Sequence, residues 1–224
     1  MRNTESLTRE GRVKVPGTKT PIRYYLLRHG ETEYARDSRY GGWSNSPLTE
    51  SGFRQHQKQV ERLSQVPLWA IYTSDLARCT WLAQELGSCH NLSPKILQDL
   101  RELDFGEFDG KTYGDVLHEH PEALARWLEN PLESSPPGGE TLLAFQKRLL
   151  RAMQNIQSQV GSIPQDTPLP ISIAIVTHGG VIRTLLCQWL EIPIERQWQF
   201  KIDPGSIAII EEYDEGAICC AVNI

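Results

Sequence analysis

Hydrophobic and polar positions along the chain alternate between short apolar runs and longer amphipathic stretches. The apolar runs that predict buried strands lie at 22–27, 69–73 and 171–176. Shorter runs that predict extended backbone lie at 95–97 and 102–105. The pattern at 206–224 predicts a terminal hairpin, because turn-forming residues interrupt it at 214–216.

Amphipathic spacing predicts helices at 48–66, 74–87, about 140–160 and 181–190. Thr49 is the expected cap of the first helix, and Gly87 is the expected end of the second. The polar segment 111–137 predicts two short helices broken at Pro121. We interpret this segment as an insertion that covers a site rather than as a separate domain.

Strands that alternate with helices predict right-handed crossovers and a mainly parallel sheet. The expected fold is therefore α/β, a three-layer α/β/α sandwich with a mainly parallel sheet and an antiparallel edge at the hairpin. Residues 21–224 are expected to form a single catalytic domain with a helical insertion at about 111–137. Residues 1–20 are polar, lack the apolar core of a signal peptide, and are expected to be a loose tail.

Composition and charge exclude several classes of function. The 224 residues carry a formal net charge of −5, whereas non-specific nucleic-acid binders carry a basic face, so no nucleic-acid partner is expected. No apolar run approaches the ~18 residues of a membrane helix, so no membrane partner is expected either. The cysteines form no CxxC pair and are odd in number, which favours a reduced, cytoplasmic setting. They are Cys79, Cys89, Cys187, Cys219 and Cys220.

Cations and imidazoles follow the ends of the predicted strands. Arg28 and His29 come directly after the first strand, and Arg78 lies about one turn beyond the second. His178 follows the strand at 171–176, and Glu102 lies in a shorter extended piece. Taken alone, each would more often be an incidental polar residue. Because ligands of open α/β sheets bind at the carboxyl ends of the strands, the set together predicts a pocket for an anion.

Phosphate is the anion that suits this pocket. Arginine presents a planar fork that matches phosphate oxygens, and Gly30 and Gly179–Gly180 are expected to let backbone approach a ligand closely. The sequence has no GxxxxGK[ST] loop, no C-x5-R signature and no D-x-D or HExxH pattern. We therefore expect a site without metal or cofactor, in which a histidine nitrogen is the nucleophile. The acid for the leaving group stays open among Glu31, Glu102, Asp104 and Glu107.

Five stretches of the chain resemble the histidine phosphatase superfamily, the phosphoglycerate mutase-like proteins, and follow the order of that family. They are "LLRHGETE", "SDLARCTWLAQELG", "LRELDFGEFDGKTYGDV", "PPGGET" and "IVTHGGVIRTLL". The resemblance covers about 23–190 and implies a phosphoglycerate mutase-like fold. R-H-G alone is a weak motif, whereas R-H-G-E-T, S-x-L-x-R, E-x-x-F-G and T-H-G-G together are specific.

The resemblance implies a role for each matching residue. His29 would attack phosphorus and become phosphohistidine. Arg28, Arg78 and His178 would hold the phosphoryl oxygens and offset the charge that develops on them. Glu102 would protonate the departing oxygen and later take a proton from water. The choice of Glu102 over the other carboxylates rests on the match of "ELDFG" to the family motif.

The neighbouring positions partly match the family. We expect Gly42, Trp43 and Gly179 to complete the phosphate and substrate site. Two positions depart from the family pattern. Ala35 stands where an asparagine often binds phosphate, which puts one hydrogen bond to phosphate in doubt, and Asn45 replaces a frequent aspartate.

Three functions compete on this scaffold. The first is a histidine acid-type phosphatase that hydrolyses a small-molecule phosphomonoester. The second is a phosphoglycerate mutase, which needs a second anion pocket, and the third is a non-catalytic phosphate-binding module. The family's mutases carry a longer basic insertion, whereas segment 111–137 is acidic, so hydrolysis is favoured. A binding module would be expected to lose His29, Glu102 or His178, and all three are present.

Substrate and assembly are predicted only in outline. The motifs are similar to those of α-ribazole phosphatases and sugar-phosphate phosphatases. Tyr40, Trp43, Phe108 and Trp127 are candidates for a wall against the leaving group, although Phe108 and Trp127 equally fit a role in the core. Trp198 is expected in the core or at an oligomer surface, and a homodimer is an open expectation.

Overall fold

One six-stranded sheet organises the part of the chain that the structure, a computed structural model, describes, namely residues 21–160 and 170–224. Its strands are β1 Ile22–Arg28, β2 Leu68–Thr73, β3 Lys95–Ile96, β4 Ile171–Thr177, β5 Ile207–Tyr213 and β6 Gly216–Ala221. They lie in the order β3-β2-β4-β1-β5-β6, with the first four parallel and β5 and β6 forming an antiparallel edge. This arrangement confirms the predicted sheet. The tail expected at 1–20 lies outside the described residues.

Helices connect the strands in the same described residues. They are α1 Glu33–Arg36, α2 Glu50–Leu63, α3 Ala77–His90, α4 Tyr113–Glu119, α5 Pro121–Glu129, α6 Leu142–Val160 and α7 Gly179–Trp189. Short 3-10 turns occupy Gln98–Leu100, Gly106–Phe108 and Ile194–Gln199. The predicted Thr49 cap is confirmed, because its side chain accepts a hydrogen bond from the Gly52 N–H.

Successive residues of β1 point to opposite faces of the sheet, as the two-residue period of a strand requires. Tyr24 and Leu26 pack against side chains of α5, α6 and α7, whereas Tyr25 and Leu27 pack against side chains of α2 and α3. Both faces of the sheet are therefore covered by helices. The protein is a three-layer α/β/α sandwich, in agreement with the prediction.

The boundaries of α3 differ from those predicted. The helix begins after Ser74, whose hydroxyl accepts a hydrogen bond from the Leu76 N–H at 3.3 Å in the turn before the helix. At its other end the helix runs past Gly87 and stops where Asn91 adopts a left-handed φ of 53°. Asparagine tolerates this conformation, so it ends the helix in place of the expected glycine.

The segment 102–105 belongs to none of the six strands of the described sheet. It lies between the two 3-10 turns Gln98–Leu100 and Gly106–Phe108. The carbonyl oxygen of Glu102 accepts hydrogen bonds from the side chains of Trp43 and Arg148 rather than from a neighbouring strand. Side chains thus provide the hydrogen-bond donors for this carbonyl oxygen.

The segment predicted as an insertion contains α4 and α5, which meet at His120 immediately before Pro121. Phe108 and Trp127 are buried and form an aromatic cluster with Tyr40 and Phe105, with ring centroids 5.1–6.1 Å apart. The interpretation of Phe108 and Trp127 as core residues is therefore the correct one. None of the helices in the described residues has the length and apolar character needed to span a bilayer.

Candidate active site

His29 follows β1 at the carboxyl edge of the sheet. Parallel pairing sets Arg28 opposite Thr177, which brings His29 and His178 to the same edge with ring centroids 5.1 Å apart. Nδ1 of His29 lies 2.7 Å from the Gly30 carbonyl oxygen and therefore carries the ring proton. Nε2 then holds the lone pair, and no hydrogen-bond partner for it exists among the described residues.

The His29 ring is neutral in the unliganded protein. Burial lowers its pKa well below the usual value, and the nearby Arg78 and Arg28 lower it further. Only the neutral ring can attack phosphorus, since protonation would remove the lone pair on Nε2. The local environment therefore keeps His29 in its nucleophilic form.

Gly30 permits a close approach to α2 rather than to a ligand, which corrects the prediction. A Cβ at Gly30 would overlap the carbonyl oxygen of Gly52 in the first turn of α2. The Gly30 N–H donates to Nε2 of the buried His56 at 2.7 Å. Burial lowers the pKa of His56 to about 4, so its ring stays neutral and Nε2 can accept this bond. The loop that holds His29 is thus anchored from behind by α2.

Arg28 is a half-buried cation with most of its donors uncommitted. One terminal nitrogen donates to the Ile202 carbonyl oxygen at 2.5 Å. Its Nε is buried and has no hydrogen-bond partner in the described part of the chain. A Cβ at Gly179 would lie 3.2 Å from this Nε, so the absence of a side chain there leaves room for a ligand oxygen. That Arg28 and Gly179 hold phosphate stays a prediction.

Arg78 lies in the first turn of α3 and is 5% exposed. Its terminal nitrogens donate to the carbonyl oxygens of Ser44 at 2.9 Å and Gly42 at 2.5 Å, and its Nε donates to His178 Nδ1 at 3.3 Å. A guanidinium has five N–H donors, so two remain for an anion. Gly42 and Trp43 therefore lie on the loop that orients Arg78.

His178 is fully buried at the N-terminus of α7. Its Nδ1 accepts from Arg78, and its Nε2 lies 3.0 Å from the hydroxyl of Ser74. Burial and the neighbouring Arg78 lower its pKa well below the usual value. Both ring nitrogens have partners here, so a contact to a phosphoryl oxygen would replace one of them. In this structure His178 orients Arg78.

Glu102 reaches the same edge from the segment after the first 3-10 turn. Its Oε1 accepts from the Leu103 N–H and its Oε2 from the Gly180 N–H, both at 2.9 Å. A Cβ at Gly180 would overlap Oε1, so glycine is required for this contact. The carboxylate is thereby fixed next to Gly179 and hence next to Arg28. The other candidate acids differ, because Glu31 binds the Thr49 hydroxyl and Asp104 binds the Gly106 N–H.

Sequence reasoning missed a buried ion pair that supports Glu102. Arg148 on α6 donates to the carbonyl oxygens of Asp99, Arg101 and Glu102 at 2.8–2.9 Å. It also forms an ion pair with Glu140, whose carboxylate accepts from the Asp104 N–H at 2.9 Å. The available signal was an arginine on the apolar face of a predicted helix, eight residues after the glutamate of "PPGGET".

The two departures from the family pattern lie beside this site. Ala35 is on the short helix α1, where its N–H donates to Thr32 Oγ1 at 3.3 Å. Asn45 is exposed on the loop that follows Gly42 and Trp43. Neither provides a side chain buried among the arginines, so the phosphate contact expected to be lost at Ala35 has no substitute from Asn45 in this structure.

Metal binding has no candidate ligand set among residues 21–160 and 170–224. No group of three or more histidine, cysteine, aspartate or glutamate side chains converges there. The side chains that meet at the edge are cations, neutral imidazoles and one carboxylate, a set that suits an anion. Independence from metal stays a prediction, and chelation tests it below.

Comparison with known proteins identifies the family. The profile of the histidine phosphatase superfamily (branch 1) matches residues 24–224. The adenosylcobalamin/alpha-ribazole phosphatase of Escherichia coli (strain K12) is 28% identical over 190 residues, which are 85% of this chain and 90% of that protein. Phosphoserine phosphatase 1 of Hydrogenobacter thermophilus is 26% identical over 203 residues, which are 91% of this chain and 92% of the relative.

Solved structures agree with the sequence match. The alpha-ribazole phosphatase of Shigella flexneri superimposes with a TM-score of 0.81 at 28% identity, over 90% of this chain and 96% of that one. Since the profile covers nearly all of residues 21–224, the resemblance of the motifs is confirmed. The chain belongs to the histidine phosphatase superfamily (branch 1).

Proposed function

We propose that the protein is a metal-independent phosphomonoester hydrolase that acts through a phosphohistidine at His29. The observation that carries the proposal is the neutral His29 ring, whose Nε2 is uncommitted among the described residues and lies within the field of Arg28 and Arg78. A phosphohistidine forms only at such a nitrogen. The two cations beside it, the half-buried Arg28 and the buried Arg78, would offset the charge of the transferring phosphoryl group.

In the first step, His29 Nε2 attacks phosphorus in line with the ester oxygen. The N–P bond forms while the P–O bond to the leaving group breaks, and Glu102 gives its proton to the departing oxygen. Arg28 offers its unpartnered Nε and Arg78 its two remaining N–H donors to the equatorial oxygens. Nδ1–H stays bonded to the Gly30 carbonyl, which stabilises the positive charge that the phosphorylated ring carries.

In the second step, water attacks the phosphohistidine. The Glu102 carboxylate takes a proton from this water as its oxygen bonds to phosphorus, the N–P bond breaks, and inorganic phosphate leaves. Neutral His29 and protonated Glu102 are thereby restored. Two backbone N–H groups hold the Glu102 oxygens, so the carboxylate keeps one position through both steps.

A phosphoglycerate mutase is the alternative on the same scaffold, and the charges of segment 111–137 argue against it. A mutase needs a second site for phosphate. Lys111 is paired with Glu119 at 2.6 Å, and Arg126 with Glu122 at 3.8 Å. Cations that are already neutralised by carboxylates leave little to hold a second phosphate.

The substrate that we propose is a small phosphorylated metabolite. Motif similarity suggests α-ribazole 5'-phosphate or a sugar phosphate, whereas the relatives include both alpha-ribazole and phosphoserine phosphatases. Trp43 is 37% exposed, and its Nε1 donates to the Glu102 carbonyl oxygen, so its ring is suited to contact a leaving group. A homodimer and a cytoplasmic setting remain predictions.

Hydrolysis of p-nitrophenyl phosphate in the presence of EDTA tests the mechanism. We expect full activity with the chelator, no turnover by His29→Ala, and an acid-labile phosphoryl adduct on His29 in rapidly quenched wild-type protein. His118→Ala is the matched control, because His118 is exposed on α4. Loss of activity on chelation, or an adduct on another residue, contradicts the proposal.

A second assay separates hydrolysis from mutase activity. The protein is supplied with 3-phosphoglycerate and a bisphosphate primer, and both free phosphate and 2-phosphoglycerate are measured. Free phosphate with no isomer is the expected result. Formation of 2-phosphoglycerate as the main product would show that the mutase alternative is correct.

A further inference from the structure

We propose that a cavity beside Glu102 binds a carboxylate carried by the leaving group, through Arg183 and Gln197. The inference rests on the proposed phosphatase function and narrows its substrate to phosphorylated hydroxy acids. The cavity opens between α7, α6 and the 3-10 turn Ile194–Gln199. Its principal lining residues are Glu102, Phe105, Gly180, Arg183, Gln197 and Trp198.

Arg183 is a cation that forms no ion pair with a carboxylate in the described part of the chain. It lies three residues after Gly180 on α7, so both face the same side of the helix. Its Nε donates to the Phe200 carbonyl oxygen at 2.9 Å, and its guanidinium lies 5.6 Å from the Trp198 ring. No ion pair to Arg183 occurs within residues 21–160 and 170–224, so the charge is held in place but not neutralised there.

Arg183 belongs to the same cationic region as Arg28 and Arg78, the proposed phosphate-binding arginines, because its charge acts on Arg28. Burial is the main cause of the lowered pKa of Arg28; Arg183 and Arg78 lower this pKa further, while Glu102 and Asp203 raise it. Three arginines thus share this region with the carboxylates Glu102 and Asp203, and bound anions would relieve the repulsion that remains among the arginines. A bound phosphate would neutralise Arg28 and Arg78. A second negative group on the substrate would neutralise Arg183.

Gln197 supplies an unsatisfied amide to the same cavity. The side chain is 1% exposed, and its Oε1 accepts from the Thr184 hydroxyl at 3.3 Å. Its Nε2 is buried and has no hydrogen-bond partner in the described residues. A buried amide N–H without an acceptor is costly, and a ligand oxygen would provide that acceptor. An amide donor next to a guanidinium is a suitable pair for a carboxylate.

The position of the cavity next to Glu102 determines which part of the substrate would enter it. Glu102 is the proposed donor of a proton to the ester oxygen, and it is bonded to Gly180 on the turn before Arg183. A group in the cavity is therefore on the leaving-group side of the phosphorus and within a few bonds of the ester oxygen. The exposed ring of Trp198 flanks this side, so of the two expected places for Trp198 the core is excluded, and the oligomer surface stays a prediction. These features favour an acidic leaving group over an uncharged sugar.

Matched pairs of substrates test the inference. We would compare kcat/KM for 3-phosphoglycerate with that for glycerol 3-phosphate, and for phosphoserine with that for phosphoethanolamine. Each pair differs by the carboxylate. The wild-type ratio should favour the acid by about tenfold or more, which is the usual effect of a charge-assisted hydrogen bond. A ratio near one or below, in a protein that hydrolyses p-nitrophenyl phosphate, overturns the inference and leaves the proposed function intact.

Variants separate recognition from structural support. Arg183→Gln should reduce the ratio within each pair by about tenfold, mainly through KM, and Arg183→Lys should restore part of it because the charge returns. Gln197→Glu should reduce the ratio as well, since it sets a negative charge in the cavity. Arg54→Gln, an exposed arginine on α2, is the control. Equal loss on both members of each pair shows that Arg183 only supports the fold, and overturns the inference.

Discussion

The N–H of Gly180 donates to Oε2 of Glu102 at 2.9 Å, and a Cβ at Gly180 would overlap the other oxygen of the same carboxylate. Gly180, in the first turn of α7, therefore determines the position of Glu102, the proposed acid. A side chain at this position has no free volume on that side, because the Glu102 carboxylate occupies it. The relationship gives a direct way to move the acid without changing its chemistry.

Gly180→Ala should displace Glu102 and lower kcat for substrates with poor leaving groups, such as alkyl phosphates, by about tenfold or more, a part of the roughly 10²–10⁴-fold effect of general acid catalysis. Hydrolysis of p-nitrophenyl phosphate should fall much less. Gly114→Ala on α4 is the matched control, because the nearest atom to its added Cβ is 3.8 Å away. An equal loss for both kinds of substrate would contradict the assignment of Glu102 as the acid.

Glu102→Gln removes the proton donor while keeping the shape of the side chain. We expect hydrolysis of alkyl phosphates to fall by about 10²-fold or more, with a smaller loss for p-nitrophenyl phosphate, whose leaving group needs no proton. Initial rates on the two substrates provide the measurement. Glu107→Gln serves as the control, because Glu107 is exposed and its carboxylate contacts His120, at 3.6 Å, rather than the site. A matching loss of activity in Glu107→Gln would point to a general effect of charge.

Arg148→Met should destabilise the protein strongly. It leaves the half-buried Glu140 carboxylate without its ion pair and three carbonyl oxygens without their donor. Removal of one partner of a buried pair costs about 3–5 kcal/mol of unfolding free energy. Urea unfolding measures this loss. Arg151→Gln, on the same helix but 61% exposed, should cost at most about 1 kcal/mol.

A double variant checks the cause of that loss. Arg148→Met combined with Glu140→Gln removes the unpaired charge, so a substantial part of the lost unfolding free energy should return. If the double variant is less stable than the sum of the single variants predicts, the buried charge is not the reason for the destabilisation.

Acid should destabilise the protein through His56. Burial lowers the pKa of His56 to about 4 in the folded state, whereas the unfolded chain binds the proton near 6.5. Unfolding therefore takes up a proton between these values, and the free energy of unfolding decreases as pH falls from 6.5 toward 4. Between pH 7 and pH 5, His56 alone should account for about 2 kcal/mol.

Urea unfolding of His56→Gln at pH 7 and pH 5 measures this contribution. The variant keeps a side-chain acceptor for the Gly30 N–H but cannot be protonated. Its stability should change less with pH than that of the wild-type protein, by about the same 2 kcal/mol. His29 and His178 also have lowered pKa values and remain in both proteins, so they cancel in the difference. An unchanged pH dependence would refute the assignment.

The sequence predicted the elements and residues that local patterns determine. The run that forms β1 and the T-H-G-G motif after β4 led to Arg28, His29 and His178, because parallel pairing forces strand ends to one edge. Glu102 could be chosen only by resemblance. The segment around Glu102 pairs with no strand of the described sheet, and side-chain hydrogen bonds from Arg148 and Trp43 hold it in place.

Other errors came from contacts that no local pattern encodes. Arg148 was not among the predicted site residues, because its place on the apolar face of a helix does not show that three carbonyl oxygens lie opposite it. Gly30 was expected to face a ligand, whereas the partner that requires a glycine is Gly52, 22 positions away on α2. Such requirements depend on how elements pack and become visible only in three dimensions.

The aromatic cluster under the insertion bears on how substrate is admitted. Trp127 of α5 packs against the rings of Tyr40, Phe105 and Phe108. Moving α5 away would expose several of these rings to water, at a free-energy cost of about 2 kcal/mol for each ring. Such an opening would amount to partial unfolding rather than to a hinge motion. We therefore expect turnover without movement of α5, so that discrimination among phosphomonoesters depends on fixed side chains around the entrance.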